Sequence, residues 1–407
     1  MIKFHKQTIK DVDVKGKTVL VRADYNVPLD DSGQIADDFR ICSSLATLQY
    51  LQKQKCKIVI ISHLGRPHGK EMKFSLAPVA TRLSELLGEP VVFMNDCIGS
   101  EIRQKISDQS DSAVILLENL RFYDEEKAND SQFASQLAEA STASYFIQDG
   151  FGVVHRAHAS TEAITHFLPS VAGLLLEKEY SVITSAMQHP EHPLVAVLGG
   201  AKVSDKLPLL EALIPIADCI LVGGAMANTF LANQGISVGG SKYETDQSVQ
   251  ISRIIHEVTK KVGAGNEGEF LRLPSDVVVA KEVSETADIQ TVSINNIGNQ
   301  DLALDIGDKT VKDFANKITS ARTVIWNGTM GLAEMNHFAN GSRGVAKAIT
   351  SNREIVSVVG GGDTADFALG WSSQNNKTFL HVSTGGGASL ELMSGQMLPG
   401  IEALLDV

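Results

Sequence analysis

The sequence contains few cysteines, and they are scattered. Cys42, Cys56, Cys97 and Cys219 are the only four in 407 residues, and no two of them form a CxxC pair. This spacing argues against a disulfide framework or a structural zinc site and fits a reducing compartment. The N-terminal residues lack the apolar core of a secretory signal, and no apolar run is long enough to span a membrane. We therefore expect a cytoplasmic protein without a membrane partner.

Basic residues are outnumbered, and several common catalytic motifs are missing. The 36 lysines and arginines stand against 48 aspartates and glutamates, and the resulting net charge of −12 argues against a nucleic-acid partner. No GxxxxGK(S/T) or HExxH motif occurs, and the absence of the first excludes a Walker-type nucleotide site. A GxGxxG occurs at 263–268, but it follows a helical pattern and precedes a strand, the reverse of the dinucleotide-binding context.

The chain is too long for one ordinary core, and its length predicts two domains of roughly 200 residues each. We expect a first domain over 1–170, a linker helix with a hinge over 171–190, a second domain over 191–390, and a tail over 391–407 that returns to the first domain. Closure about the hinge would exclude water from a shared site. Nothing in the composition indicates an obligate interface, so we expect a monomer.

Glycine-rich turns follow apolar runs throughout the second half. The segment 194–206, LVAVLGGAKVSDK, is typical of a buried strand, a glycine turn and a helix that begins at Ser204, whose free N–H groups would attract an anion. The same pattern recurs at 219–230, 323–334, 354–367 and 378–392. Alternating strands and helices predict an α/β fold with a parallel sheet, which binds ligands at the carboxyl ends of its strands. The set of turns therefore predicts a phosphate-binding rim.

Basic residues follow the strands of the first half. Four predicted strand ends and one helix start carry an arginine or a histidine, namely Arg22, His63, Arg121, Arg156 with His158, and Arg40. Such cations repel one another unless an anion neutralises them, and guanidinium groups suit phosphate and carboxylate. We expect a site for a small, multiply negative substrate. Asp276, next to a strand end in the second half, is expected to be structural.

Specific motifs are spread over nearly the whole chain. They are RADYNVP (22–28), HLGRP (63–67), LENLRF (117–122), HRAH (155–158), LGGAKVSDK (198–206), VGGAMANTFL (222–231), VIWNGTMG (324–331), GGGDTA (360–365) and STGGGASLEL (383–392). As an ordered set they resemble the phosphoglycerate kinase family. The resemblance implies two Rossmann-like domains joined by a linker helix. It also implies reversible transfer of the acyl phosphate of 1,3-bisphosphoglycerate to Mg-ADP, which gives 3-phosphoglycerate and ATP.

The resemblance further implies which residues form the site. Those that would hold 3-phosphoglycerate are Asp24, Asn26, Arg40, His63, Leu64, Gly65, Arg66, Arg121 and Arg156. Those on the nucleotide side are Gly200, Ala201, Lys202, Lys206, Gly224, Glu334, Gly360, Gly361, Gly362, Asp363 and Thr364, with Asp363 as the Mg²⁺ carboxylate. Arg40, Lys206 and the N–H groups around Gly385 and Gly386 would neutralise the transferred phosphoryl group.

The sequence also departs from the family pattern. Thr329 and Asp308 stand where proline is usual, and Ala333 stands where an aromatic residue is usual. Near Arg156, this chain has Gly150, Val153 and Val154 where alanine or threonine is more usual in the family. The changes at 329 and 333 leave the choice between ATP and GTP open. Two alternatives also remain at this stage, another acyl-phosphate kinase of the carbamate or amino-acid type and a noncatalytic binding module with this fold.

Overall fold

The computed structural model describes residues 4–407, which form two compact units. The first unit contains the chain up to Ser181 together with Met397–Val407, and the second contains Val182–Gln396. Each unit is built around a six-stranded sheet whose strands are parallel. Because helices alternate with the strands along the chain, the predicted α/β fold class is confirmed.

The first unit alternates short buried strands with helices. In chain order the elements are β1 (Thr18–Arg22), α1 (Phe39–Lys53), β2 (Lys57–Ile61), α2 (Ala77–Leu87), β3 (Val91–Phe93), α3 (Ser100–Ser107), β4 (Val114–Leu116), α4 (Asp124–Lys127), α5 (Ser131–Ser141), β5 (Tyr145–Gln148), β6 (Ser170–Ala172) and α6 (Leu174–Gln188). The strand order is β3-β4-β2-β1-β5-β6. Strands β1 and β2 run in register from Thr18 beside Lys57 to Arg22 beside Ile61, so their carboxyl ends lie at one edge.

Helix α2 shows how local sequence determines an element. Val79, Ala80 and Leu83 recur at helical spacing and are buried, so one face of the helix packs on the sheet. Gly88 ends the helix in a left-handed conformation, with φ of 71°, and its N–H donates to the carbonyl of Ser84. A closing glycine at this position is visible in the sequence.

The second unit contains two sheets. Its elements are β7 (Leu194–Leu198), α7 (Leu207–Leu213), β8 (Cys219–Val222), α8 (Gly224–Asn233), α9 (Ser248–Val262), α10 (Glu267–Phe270), β9 (Leu271–Arg272), β10 (Asp276–Ala280), β11 (Gln290–Ser293), β12 (Leu302–Ile306), α11 (Asp308–Thr319), β13 (Thr323–Asn327), α12 (Asn340–Thr350), β14 (Val356–Gly360), α13 (Gly362–Asn375), β15 (His381–Val382) and α14 (Gly387–Met393). The parallel sheet has the order β15-β14-β13-β7-β8-β9. The strands that precede the glycine turns, β7, β8, β13, β14 and β15, all belong to it, as predicted.

A three-stranded antiparallel sheet, ordered β11-β10-β12, was not predicted. Asp276 begins its central strand and accepts hydrogen bonds from the N–H of Lys309 at 3.1 Å and from the N–H and hydroxyl of Thr310 at 2.8 and 2.6 Å. These contacts hold the start of α11 against the sheet. The expectation that Asp276 is structural is therefore correct.

The last residues complete the first unit through α15 (Pro399–Glu402) and an isolated antiparallel bridge between Asp406 and Lys6. The N–H of Gly400 donates to the carbonyl of Val154 at 2.9 Å, and the Lys6 amine donates to the Asp406 carboxylate at 2.7 Å. The division between the units falls inside α6, and the segment 171–190 contains part of β6 as well as this helix. Over residues 4–407, no helix combines the length and the apolarity that crossing a bilayer requires.

Candidate active site

The basic residues of the first unit follow the carboxyl ends of its parallel strands. Arg22 is the last residue of β1, His63 follows β2, and Arg121 lies in a turn after β4. Arg156 and His158 follow β5, the neighbour of β1. Because parallel strands present their carboxyl ends at a common edge, the sheet gathers these residues as predicted. We call this set, with Arg40, the basic edge.

Arg40 is held at the start of α1 by two residues that follow β1. Its guanidinium donates to the carbonyl of Asn26 at 2.9 Å and lies 3.3 Å from the Asp24 carboxylate. The Asn26 side-chain oxygen in turn accepts the N–H of Gly65 at 2.8 Å. The side chains of the RADYNVP and HLGRP motifs therefore position each other as well as the guanidinium of Arg40.

The HLGRP turn is also held by residues that follow β4. Asn119 accepts the N–H of Leu64 at 3.2 Å and donates to its carbonyl at 2.8 Å. Arg121 donates to the carbonyl of Gly65 at 2.7 Å. Burial and the neighbouring Arg22 and Arg156 lower the pKa of Arg121 to about 10, which leaves its guanidinium charged at neutral pH.

Two guanidinium groups of the site remain exposed. Arg66 has no hydrogen bond or ion pair to any residue in the range 4–407, and within that range the guanidinium of Arg156 hydrogen-bonds only to the ring of His155, at 3.1 Å. Burial and Arg156 lower the pKa of His155 to about 4, so its ring is neutral. The exposed guanidinium groups are available to an anionic ligand.

The second unit contains a pocket of about 550 Å³ at the glycine turns. It is lined by Gly200, Ala201, Gly224, Ala225, Gly240, Lys242, Val283, Leu302, Ala303, Leu304, Thr329, Gly331, Leu332, Glu334 and Asp363. Glycines allow the backbone to approach a ligand closely, and the apolar residues suit a flat aromatic base. A nucleotide-sized cavity therefore opens where the sequence predicts a nucleotide site.

The pocket contains only part of the predicted nucleotide set. Gly200, Ala201, Gly224, Glu334 and Asp363 line it. The others, Lys202, Lys206, Gly360, Gly361, Gly362 and Thr364, do not.

Thr364 is buried, and its hydroxyl accepts the N–H of Gly328 at 2.7 Å, which ties the start of α13 to the turn after β13. Lys202 is exposed.

Several lining residues were missed by the sequence reasoning. Leu302, Ala303 and Leu304 belong to β12, and Val283 follows β10, so the antiparallel sheet forms one wall of the pocket. Lys242 lies in an irregular loop. The apolar run of β12 is short and its pairing with β10 is antiparallel, so no glycine turn marks it as part of the site.

The expectation that free N–H groups at Ser204 attract an external anion is wrong. The Glu244 carboxylate accepts the N–H groups of Val203 and Ser204 at 2.6 and 3.1 Å, and it accepts the Ser204 hydroxyl at 2.6 Å. A single 3-10 turn, Ser204–Lys206, precedes α7. A side chain of the protein itself therefore neutralises this helix start.

Lys206 nevertheless reaches the carboxyl edge of the sheet. Its amine donates to the side-chain oxygen of Asn327, the last residue of β13. Burial lowers the pKa of Lys206 from 10.5 to about 8, an effect that the nearby carboxylates of Asp205 and Asp363 oppose. The amine is therefore half-buried and still charged near neutral pH.

The glycines before α14 are only partly available. The N–H of Gly385 donates to the hydroxyl of Ser383 at 3.0 Å, which engages one of the groups expected to bind the transferred phosphoryl. Gly386 has φ of 45° and directly precedes the helix.

A metal ion would find few protein ligands here. No group of three or more His, Cys, Asp or Glu side chains within 4–407 is arranged to hold one. Asp363 is an exposed carboxylate on the wall of the pocket. Mg²⁺ commonly binds through one or two carboxylates together with substrate phosphates and water. The donor set thus fits an ion that arrives with a nucleotide.

Cations at the edge of one sheet and a glycine-lined pocket at the edge of another sheet are typical of enzymes that transfer phosphoryl groups. The chain is a phosphotransferase with α/β architecture. The model of the phosphoglycerate kinase family matches residues 9–396. The chain belongs to the phosphoglycerate kinase family, whose acceptor is a carboxyl group.

The chain is similar in sequence to known phosphoglycerate kinases over nearly its full length. The chain is 47% identical to the phosphoglycerate kinase of Dictyoglomus turgidum, covering 98% of both chains. It is 46% identical to that of Pelotomaculum thermopropionicum, covering 98% of this chain and 99% of the relative. Among solved structures, the phosphoglycerate kinase of Coxiella burnetii has a TM-score of 0.82 at 35% identity, with 98% of each chain covered. These matches favour neither the carbamate-type kinase nor the noncatalytic module.

Proposed function

We propose that this chain transfers the acyl phosphate of 1,3-bisphosphoglycerate to Mg-ADP, reversibly, as a cytoplasmic, monomeric enzyme of glycolysis. The observation that carries the proposal is the basic edge of the first unit. It combines the buried Arg121, the half-buried Arg40 and the exposed Arg66 and Arg156 around a turn that hydrogen bonds from Arg121 and to Asn26 hold in place. Such an array suits a small substrate that carries both a phosphate and a carboxylate.

In this proposal the first unit binds the glycerate substrate. Asp24, Asn26, His63, Leu64 and Gly65 shape the site, and the arginines bind its anionic groups. Arg40 would also neutralise the transferred phosphoryl group, together with Lys206 and the backbone at Gly386. Phosphoryl transfer requires in-line positioning and neutralised oxygens rather than covalent help from the protein. No general base is needed, because the attacking oxygen is already ionised.

The nucleotide would occupy the pocket of the second unit. Gly200, Ala201 and Gly224 would allow its phosphates to approach the backbone, and Glu334 would contact the nucleoside. Lys202, Gly360, Gly361, Gly362 and Thr364 would complete the phosphate site. Asp363 would hold Mg²⁺, which when bound neutralises nucleotide oxygens.

The lining residue Thr329 and its near neighbour Ala333 leave the preference between adenine and guanine open. A hinge within 171–190 would allow closure around the substrates.

Trapping the acyl phosphate tests the proposal directly. The protein is incubated with 3-phosphoglycerate, Mg-ATP and hydroxylamine, which converts an acyl phosphate into a hydroxamate. We expect a hydroxamate that requires 3-phosphoglycerate, disappears in Lys206→Ala and persists in Lys312→Ala, a change at an exposed lysine on α11.

Other outcomes identify the alternatives. A hydroxamate formed only with acetate, carbamate or an amino-acid carboxylate would show a different acyl-phosphate kinase. No product from a folded protein that binds ATP would show a binding module.

A further inference from the structure

Arg22 is a fully buried member of the basic edge, and with two further polar residues it forms a layer beneath the exposed arginines. Arg22, Glu126 and Ser160 are each at most 1% exposed, so none of them is available to a ligand at the surface. Glu126 lies on α4, whose sequence DEEK resembles a solvated charge run. The proposed substrate contacts do not use these three residues.

Their hydrogen bonds form one chain that ends at His63. The Ser160 hydroxyl donates to the Glu126 carboxylate at 2.6 Å, and the Ser160 N–H donates to its other oxygen at 3.0 Å. The Arg22 Nε–H donates to the Ser160 hydroxyl at 2.8 Å. A terminal nitrogen of Arg22 lies 3.2 Å from Nδ1 of His63 and 3.9 Å from Glu126. A second terminal nitrogen donates to the carbonyl of Ala23.

This arrangement determines which ring nitrogen of His63 carries the proton. A guanidinium group only donates hydrogen bonds, so Nδ1 of His63 must accept. A neutral ring that accepts at Nδ1 carries its proton on Nε2. Nε2 has no hydrogen-bond partner among the described residues, so its N–H is the donor that the ring offers to a ligand.

The charges around the ring favour the same neutral state. Burial lowers the pKa of His63 well below 6.5, and Arg22, Arg121, Arg40 and His158 lower it further. Burial, Arg22, Arg121 and Arg156 lower the pKa of His158 to about 4, so that ring is neutral too.

Among residues 4–407, the one carboxylate within 4.0 Å of the ring nitrogens is that of Asp24, 3.9 Å from Nδ1. The cations therefore outnumber the anions around His63.

We propose that Arg22 is a positioning residue, held by Ser160 and Glu126, which fixes His63 as a neutral imidazole that donates from Nε2 to an oxygen of the bound glycerate. The inference rests on the proposed contact between His63 and 3-phosphoglycerate. His63 then supplies a directed hydrogen bond rather than another positive charge, and substrate affinity does not follow the titration of this ring near pH 6.5.

The protonation state is read directly in the intact enzyme. Nitrogen-15 spectra of histidine-labelled protein distinguish a protonated from an unprotonated ring nitrogen, and the His63 signals are identified by their loss in His63→Gln. We expect Nδ1 unprotonated and Nε2 protonated from pH 6 to pH 8, with a shift of the Nε2 signal when 3-phosphoglycerate is added. A protonated Nδ1, or a ring that titrates between pH 6 and pH 8, would overturn the proposal. Because this readout needs no turnover, it stays separate from the hydroxamate assay.

A variant pair separates positioning from general packing. Ser160→Ala removes the hydroxyl that joins Arg22 to Glu126 without removing a charge. We expect mixed His63 tautomers and a KM for 3-phosphoglycerate raised about 5–10-fold, with kcat within about twofold, as one weakened hydrogen bond predicts. Ser62→Ala is the matched control, since it removes a buried hydroxyl whose hydrogen bonds, within the described part of the chain, go only to the backbone of Ala23 and Tyr25. If Ser160→Ala does not fold, Arg22→Lys is used. An unchanged His63 spectrum and KM in the folded variant would refute the role of Arg22.

Discussion

The amine of Lys206 donates a hydrogen bond to the side-chain oxygen of Asn327, across the carboxyl ends of the adjacent strands β7 and β13. Asn327 is fully buried, and its amide nitrogen has no partner among residues 4–407. The lysine is therefore directed at the sheet edge by a rigid neighbour rather than by an ion pair. Its desolvation is what brings its pKa close to the physiological range.

Nucleotide affinity should consequently fall as the pH rises through about 8. The pKa of Lys206 lies at about 8 in the folded protein, so its positive charge is lost above that pH. Lys206→Arg should remove this dependence, because a guanidinium stays protonated. Calorimetric titration with ADP at pH 7 and pH 9 measures the effect, and Lys202→Arg serves as the control that keeps the dependence. The same loss of affinity in Lys206→Arg would contradict the prediction.

Arg40→Ala should lower turnover by roughly 100-fold or more, because it removes a group proposed to neutralise the transferred phosphoryl. Nucleotide affinity should be nearly unchanged, since Arg40 belongs to the first unit and the nucleotide pocket to the second. Steady-state kinetics and ADP titration measure both quantities. Arg103→Ala, at an exposed position on α3, is the control. Near-normal turnover in Arg40→Ala would remove the assigned role.

Asp149 should make stability depend on pH. Its carboxylate accepts the N–H of Leu175 at 3.0 Å, in the first turn of α6, and the hydroxyl of Thr47 at 2.9 Å. Its other oxygen is buried without a partner in the described chain, and burial raises the pKa from 3.8 to about 7. Between these values the folded state holds a proton that the unfolded state releases, so this carboxyl lowers stability as the pH rises from about 4 to about 7.

Urea denaturation of Asp149→Asn at pH 5 and pH 8 tests this sign. The free energy of unfolding of the variant, relative to the unsubstituted protein, should be higher at pH 8 than at pH 5. Asp31→Asn, at an exposed loop position, should show no such difference. A relative stability of Asp149→Asn that falls between pH 5 and pH 8 would reverse the conclusion.

Gly224→Ala should damage the nucleotide pocket. Gly224 has φ of 63°, and a Cβ there would lie 2.8 Å from the backbone N and O of Gly200. We expect ADP affinity to fall at least about tenfold and stability to fall by more than about 1 kcal/mol, because both the conformation and the space exclude a side chain. Gly370→Ala is the control, since it lies within α13 with open space around it. That change should leave affinity unchanged and add about 0.5–1 kcal/mol of stability.

The features predicted from sequence are those that local patterns encode. A strand followed by a basic or glycine-rich turn is visible within about ten residues, and parallel pairing then places Arg22, His63 and Arg121 at one edge. The α/β class follows from the same alternation. The enzyme family was also recognisable, because its motifs are distributed along the chain.

The features that were missed depend on distant contacts. Glu244 neutralises the start of the turn at Ser204 from 40 residues away. In the sequence, Glu126 belongs to an acidic run of the kind that is usually exposed, yet in the structure it is buried against Ser160. The wall formed by β12 exists only through its antiparallel pairing with β10. Neither the composition of a segment nor the spacing of its apolar residues identifies which distant residues it will contact.

The return of Met397–Val407 to the first unit affects the order in which the chain can fold during synthesis. The second unit, Val182–Gln396, is continuous and leaves the ribosome before the residues that complete the first unit. Lys6 and Val154 must wait for Asp406 and Gly400, which are made more than 200 residues after Val154. The whole second unit thus emerges before the first unit can finish folding, because the first needs the tail that emerges last.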